Sequence, residues 1–115
     1  MNGNRKTALI TGSGQNIGRG IANHLAKAGF NVVVNGSRNR AAADAVADEV
    51  RAHGVEALVA MGNVGIKAEA EAVANAGIAH FGRIDILVNN AGGPPPGDFR
   101  DWTRETWITA FDANM

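Results

Sequence analysis

Four short runs of adjoining apolar residues stand out along the chain. They are Thr7-Ala8-Leu9-Ile10-Thr11, Asn31-Val32-Val33-Val34, Ala57-Leu58-Val59-Ala60-Met61 and Ile84-Asp85-Ile86-Leu87-Val88, beginning at intervals of 24, 26 and 27 residues. Near-continuous Val, Ile and Leu, without the alternation of a sheet wetted on one side, is the pattern of parallel strands covered on both faces. Between the runs the apolar period changes. Ile17, Ile21, Leu25 and Ala28 recur about every fourth residue before Gly29, and Ala43, Val46, Ala47 and Val50 do so before His53-Gly54. Val73, Gly77, Ile78 and Phe81 form a third stripe before Gly82. Each stripe predicts a helix with one buried face and a glycine near its end. A last helix is predicted from near Thr103, after the loop Gly92-Gly93-Pro94-Pro95-Pro96-Gly97.

The order β-α-β-α-β-α-β assigns the chain to the α/β class, as a doubly wound parallel sheet. Right-handed crossovers place the first strand beside the fourth, where the winding reverses. Ligands of such sheets gather at the carboxyl ends of the strands flanking that point. The turns after Thr11 and after Val88 are therefore the expected site.

The first of these turns reads Thr11-Gly12-Ser13-Gly14-Gln15-Asn16-Ile17-Gly18. A strict G-x-G-x-x-G pattern fails at Ile17, and the third glycine comes one residue later. Gly12 permits a tight turn, Gly14 lets the backbone approach a ligand, and Gly18 lets the first helical turn pack close to the sheet. The N–H groups of that helical turn, at the positive end of its dipole, then face an anion such as a pyrophosphate.

Composition narrows the chemistry. The 115 residues are 45% hydrophobic and 19% charged, enough to bury a core. Eleven basic and eleven acidic residues give no net charge, which argues against a nucleic-acid or membrane-surface partner. No apolar run approaches the length of a membrane span, and Met1–Lys6 leads into the first strand without a leader's apolar stretch. With no cysteine there is neither a disulfide frame nor a thiolate site, and a cytoplasmic protein is expected. The charge is unevenly spread: the first 43 residues hold Arg5, Lys6, Arg19, Lys27, Arg38 and Arg40 and no acid. A region free of carboxylates suits an anionic ligand. His24, His53 and His80 lack ligand spacing, and no acids cluster as a metal site would require, so no metal is expected. The chain has no tyrosine, and its serines are Ser13 and Ser37.

The first turn resembles the Thr-Gly-x-x-x-Gly-x-Gly signature of the short-chain dehydrogenase/reductase family. Asn16 stands where the family has its middle glycine, and Asn is the next most tolerant residue of a left-handed conformation. Asn89-Asn90-Ala91-Gly92, after the fourth run, resembles the family's second signature. The resemblance implies a Rossmann-like fold and a nicotinamide dinucleotide held by Gly12, Ser13, Gly14, Gln15, Asn16, Ile17 and Gly18. It further implies cofactor contacts from Asn90, Ala91 and Gly92, and adenine recognition by Asn63 and Val64 after the third strand. The branch it most resembles is that of the 3-oxoacyl carrier-protein reductases or of the sugar and alcohol dehydrogenases.

A fold that prefers NAD carries a carboxylate at the end of its second strand, for the ribose 2′-hydroxyl. That position falls on Gly36, with Ser37, Arg38 and Arg40 following. A hydroxyl and guanidinium groups suit a 2′-phosphate, so Ser37 and Arg38 are expected to bind NADP in preference to NAD.

The family's catalytic tetrad is Asn-Ser-Tyr-Lys, and Asn114 fits its Asn. The serine, tyrosine and lysine of that tetrad have no counterpart in this sequence. About six strands are usual for such a sheet, and four are legible. The expectation is one dinucleotide-binding domain over residues 1–115, truncated after about four strands and the start of the following helix. It is expected to be the cofactor half of a longer, homo-oligomeric reductase acting on a small carbonyl or alcohol. A non-catalytic dinucleotide-binding module is the alternative.

Overall fold

The computed structural model describes residues 5–90. Its elements are β1 (Thr7–Ile10), α1 (Asn16–Lys27), β2 (Asn31–Gly36), α2 (Arg40–Arg51), β3 (Ala57–Met61), α3 (Lys67–Phe81) and β4 (Ile86–Val88). The four strands form one parallel sheet in the order β3-β2-β1-β4. The sequence reading of a Rossmann-like α/β sheet, with β1 beside β4, is met. The predicted loop at 92–97 and helix from Thr103 lie outside the described residues.

Helices cover both faces of the sheet at β1 and β2, as near-continuous apolar runs of parallel strands require, whereas Leu87 of β4 is 57% exposed. Ala8, Ile10, Val32 and Val34 face one way and join Ala22, Ala26, Val46 and Val50 in a core beneath α1 and α2. The alternate residues Leu9 and Val33 face the other way and pack with Ala60 and Val73 beneath α3. Gly77 brings α3 close, since a Cβ there would stand 3.0 Å from Val33 Cγ2 and 3.2 Å from Ile84 Cδ1.

The structure corrects the expected face of α1. Its buried residues are Gly18, Ala22 and Ala26, whereas Ile17 is 73% exposed and Ala28 is exposed. Ile21 and Leu25 only flank the core. The helix sits so close to the sheet that small residues every fourth position form its contact ridge, and the larger aliphatics are pushed to its sides. On α3, Val73 and Gly77 are buried and Ile78 is 48% exposed. β4 is shorter than the run that predicts it, because Ile84 and Asp85 precede the strand. Asp85 instead closes the amino end of the sheet, accepting from Thr7 N–H at 2.8 Å and pairing with Arg83. Both contacts favour the ionised carboxyl and hold it below the usual aspartate range.

A polar brace joins α1 to α2. Glu49 accepts from the Arg19 guanidinium and from Asn23 Nδ2, and His53 Nε2 meets Asn23 Oδ1 at 3.1 Å. The Arg19 and Asn23 hydrogen bonds lower the Glu49 pKa.

Candidate functional site

The first turn takes the shape its residues permit. Gly12 has φ 63° and Asn16 has φ 54°, Asn16 being the non-glycine residue with positive φ among those described. Asparagine tolerates this left-handed conformation, so the turn survives without a glycine there. Gln15, which precedes α1, is extended and makes no side-chain cap, and the first turn of α1 contains no acid. The positive end of α1 is thus left for an outside acceptor. The start of α2 differs, because Asn39 Oδ1 accepts from Ala42 N–H at 2.9 Å.

Two asparagines hold Gly12 from either side. Asn35, near the end of β2, accepts from Gly12 N–H at 3.0 Å. Asn90, just beyond β4, donates from Nδ2 to the Gly12 carbonyl at 3.2 Å, and its own N–H donates to Thr11 Oγ1 at 2.9 Å. Because β1 lies between β2 and β4, the turn after β1 is anchored to both neighbours. Gly18 completes the packing. A Cβ on it would lie 2.4 Å from the Gly12 carbonyl oxygen, 2.5 Å from Asn90 Nδ2 and 2.8 Å from Ser13 Cα.

An open cleft of about 890 Å³ runs along the carboxyl ends of the strands. Of the predicted contacts, Gly12, Gly14, Gln15, Asn16, Ile17, Ser37, Arg38, Asn63, Val64 and Asn90 line it. Gly18 lies behind the turn and acts through packing. Ser13 is fully buried and turns inward: its hydroxyl donates to the Ile10 carbonyl at 2.7 Å and accepts from Asn35 N–H at 2.9 Å. Ala91, Gly92 and Asn114 lie outside the described residues.

Arg38 is the charged residue of the described cleft lining. It sits just before α2, whose first turn holds no acid, and it makes no ion pair among the described residues, whereas Arg40 pairs with Asp44 at 3.8 Å. A cation near a helix N-terminus is electrostatically unfavourable unless an anion joins it. On the β3 side, Asn63 Oδ1 accepts from Gly65 N–H at 2.9 Å, and Asn63 N–H donates to Glu69 Oε1 at 3.0 Å, fixing the turn before α3.

Gly36, Asn39, Ala42, Gly62 and Gly65 also line the cleft, as does Asn35. Asn35 is the functional candidate that sequence reasoning passed over. The available signal was a polar side chain closing the apolar run Val32-Val33-Val34, where an unpartnered amide would be costly to bury. No group of three potential metal ligands occurs among the described residues, and no helix among them is long and apolar enough to cross a membrane.

This arrangement suits a dinucleotide. Its uncapped helix start, close backbone and lone arginine form a donor set for phosphates, and small residues leave room for flat rings. Comparison with known proteins agrees. The chain is 38% identical over 109 residues to a probable tetrahydroxynaphthalene reductase of Zymoseptoria tritici, covering 95% of this chain and 41% of that protein. It is 36% identical over 110 residues to the 3-oxoacyl-acyl-carrier-protein reductase FabG of Staphylococcus aureus, covering 96% of this chain and 45% of that one. The crystal structure of a hydroxysteroid dehydrogenase from Escherichia coli superposes with a TM-score of 0.84 at 38% identity, over 98% of this chain and 48% of that one. The chain therefore spans somewhat under half the length of these relatives. The short chain dehydrogenase family model matches residues 6–115, and with the parallel sheet and the glycine turn after β1 this establishes that the chain belongs to the short-chain dehydrogenase family.

Proposed function

We propose that the chain forms the cofactor-binding half of an NADP-dependent short-chain oxidoreductase that interconverts a small carbonyl and an alcohol. The observation that carries the reading is the cleft itself. An uncapped helix start and an arginine with no ion pair among the described residues line one strand-end groove. In this reading the first turn of α1, with Gly14, Gln15 and Asn16, binds the diphosphate by N–H donation. Ser37 and Arg38 bind the 2′-phosphate, and Asn63 and Val64 border the adenine. Asn90 holds the Gly12 carbonyl, and Ile17, exposed at the rim, gives the nicotinamide end an apolar surface. Bound NADPH supplies the hydride. The chain's residues orient it and hold its charges. FabG is named for the reduction of a 3-oxoacyl group, which supports this substrate class.

The same cleft also suits a second reading, a non-catalytic dinucleotide-binding module. In the first reading Asn114 supports the proton path, and the phenolic acid/base comes from outside these 115 residues. A homo-oligomer in the cytoplasm accords with the first reading.

Titration with NADPH and NADH, followed by nicotinamide fluorescence, tests the cleft. Saturable binding with NADPH ahead of NADH is expected, and failure to bind either overturns the assignment. Reduction of a panel of small ketones and aldehydes by the purified chain at enzymatic rate would overturn the half-site reading.

A further inference from the structure

We infer that Asn35 is a positioning residue that sets the spacing between the two walls of the cleft. The inference rests on the dinucleotide reading above. Asn35 is 1% exposed, yet every polar group of its carboxamide is used. Its Oδ1 accepts from Gly12 N–H, on the wall formed by the glycine turn. Its Nδ2 donates to the carbonyls of Ala60 at 3.0 Å and Gly62 at 3.1 Å, at the start of the wall carrying Asn63 and Val64. The three partners demand one acceptor and two donor hydrogens, which is what a primary amide offers and what a carboxylate, a hydroxyl or an aliphatic side chain lacks.

The backbone of Asn35 reinforces the link. Its N–H donates to Ser13 Oγ, and its carbonyl accepts from Ser13 N–H at 2.8 Å. Gly62 N–H likewise donates to the Gly36 carbonyl at 2.9 Å. Residues 12, 35 and 62 come from three separate strand ends, and this one side chain ties them together. In the dinucleotide reading both tied walls serve the adenosine diphosphate end of the ligand. Loss of the amide therefore weakens that end first.

The test uses 2′,5′-ADP and NADPH as probes, with Asn35→Asp and Asn35→Ala. Asn35→Asp keeps the acceptor for Gly12 but presents two carbonyls with a carboxylate that has no hydrogen to give. At pH 8 both variants should bind 2′,5′-ADP and NADPH about tenfold or more weakly, the scale of an unsatisfied buried polar group. The hydrogen-bond partners of position 35 described above are two N–H groups, a hydroxyl and two carbonyls, none of which titrates in this range. Arg38, the charged residue of the described lining, is common to all three proteins. Toward pH 5.5 the Asn35→Asp carboxyl regains a proton it can donate, so its deficit relative to the parent should narrow, whereas that of Asn35→Ala should not.

Parent-like binding by the folded variants, or a deficit in Asn35→Asp that ignores pH, overturns the inference. Should the variants not fold, the parent still decides. The Asn35 carboxamide protons should exchange slowly with solvent and shift on saturation with NADPH, and resonances that do neither overturn the role. A parent chain that binds neither probe refutes the dinucleotide reading instead.

Discussion

Gly18 and Gly20 lie two residues apart in α1, yet alanine at each should act in opposite directions. At Gly18 the added Cβ would meet the Gly12 carbonyl oxygen at 2.4 Å, Asn90 Nδ2 at 2.5 Å and Ser13 Cα at 2.8 Å. Two of these atoms are backbone, anchored by the asparagine clamp, so relief requires the helix start and the turn to separate. Overpacking of this kind costs about 1–3 kcal/mol, and the rigid neighbours put Gly18→Ala at the upper end. At Gly20 nothing lies within 4 Å of the added Cβ, the residue is exposed and the position is helical. Alanine there should stabilise by about 0.5–1 kcal/mol through the smaller entropy loss on folding. Urea denaturation of the parent and both variants, followed by circular dichroism, compares their midpoints. The expected order is Gly20→Ala above parent above Gly18→Ala, and NADPH affinity should fall for Gly18→Ala alone. Equal midpoints for the two variants would refute the argument that close approach of α1 to the turn is what requires Gly18.

Other consequences concern the charged groups and the far end of β2. Arg38→Ala should weaken NADPH about tenfold or more while leaving NADH unchanged, since a charge-assisted hydrogen bond contributes about 1.5–3 kcal/mol; paired titrations check this. Gly36→Asp should reduce the preference for NADPH over NADH without unfolding the chain, because its Cβ would meet only the flexible end of Met61, at 3.4 Å, and Ala43 Cβ at 3.7 Å. Asp85, whose carboxyl is held low by Arg83 and Thr7 N–H, binds a proton more weakly folded than unfolded. Its contribution to stability is therefore complete above the unfolded carboxyl range and lost as pH falls through the lower folded value. Denaturation across pH 2–7 should show the gap between parent and Asp85→Asn shrinking at the acid end.

Much of the architecture was legible because its signals are local. Apolar runs without alternation mark strands buried on both faces, and intervals of 24 to 27 residues leave room for a crossover helix and little else. The left-handed residue after Gln15 was also readable, since few side chains besides glycine accept it and Asn16 is one. Less was legible in the facing of α1. Bulk marks the apolar side of an isolated helix, but a helix pressed against a sheet turns its smallest residues inward, so Gly18, Ala22 and Ala26 displaced Ile17 from the core.

The chain's own pattern determined the element order, the parallel class and the strand end at which a ligand would gather. Only the tertiary structure decided how the turns are held. Ser13 looked like a ligand contact and became an internal strut. Asn35 looked like the end of a strand and became the tie between Gly12, Ala60 and Gly62. Arg38, preferred over Arg40 from the sequence, came to line the cleft, and the fold showed Arg40 paired with Asp44. Periodicity reports what a residue does for its own helix or strand. A buried amide's partners come from parallel strands more than twenty residues apart in the chain, and only folding brings them within hydrogen-bond reach.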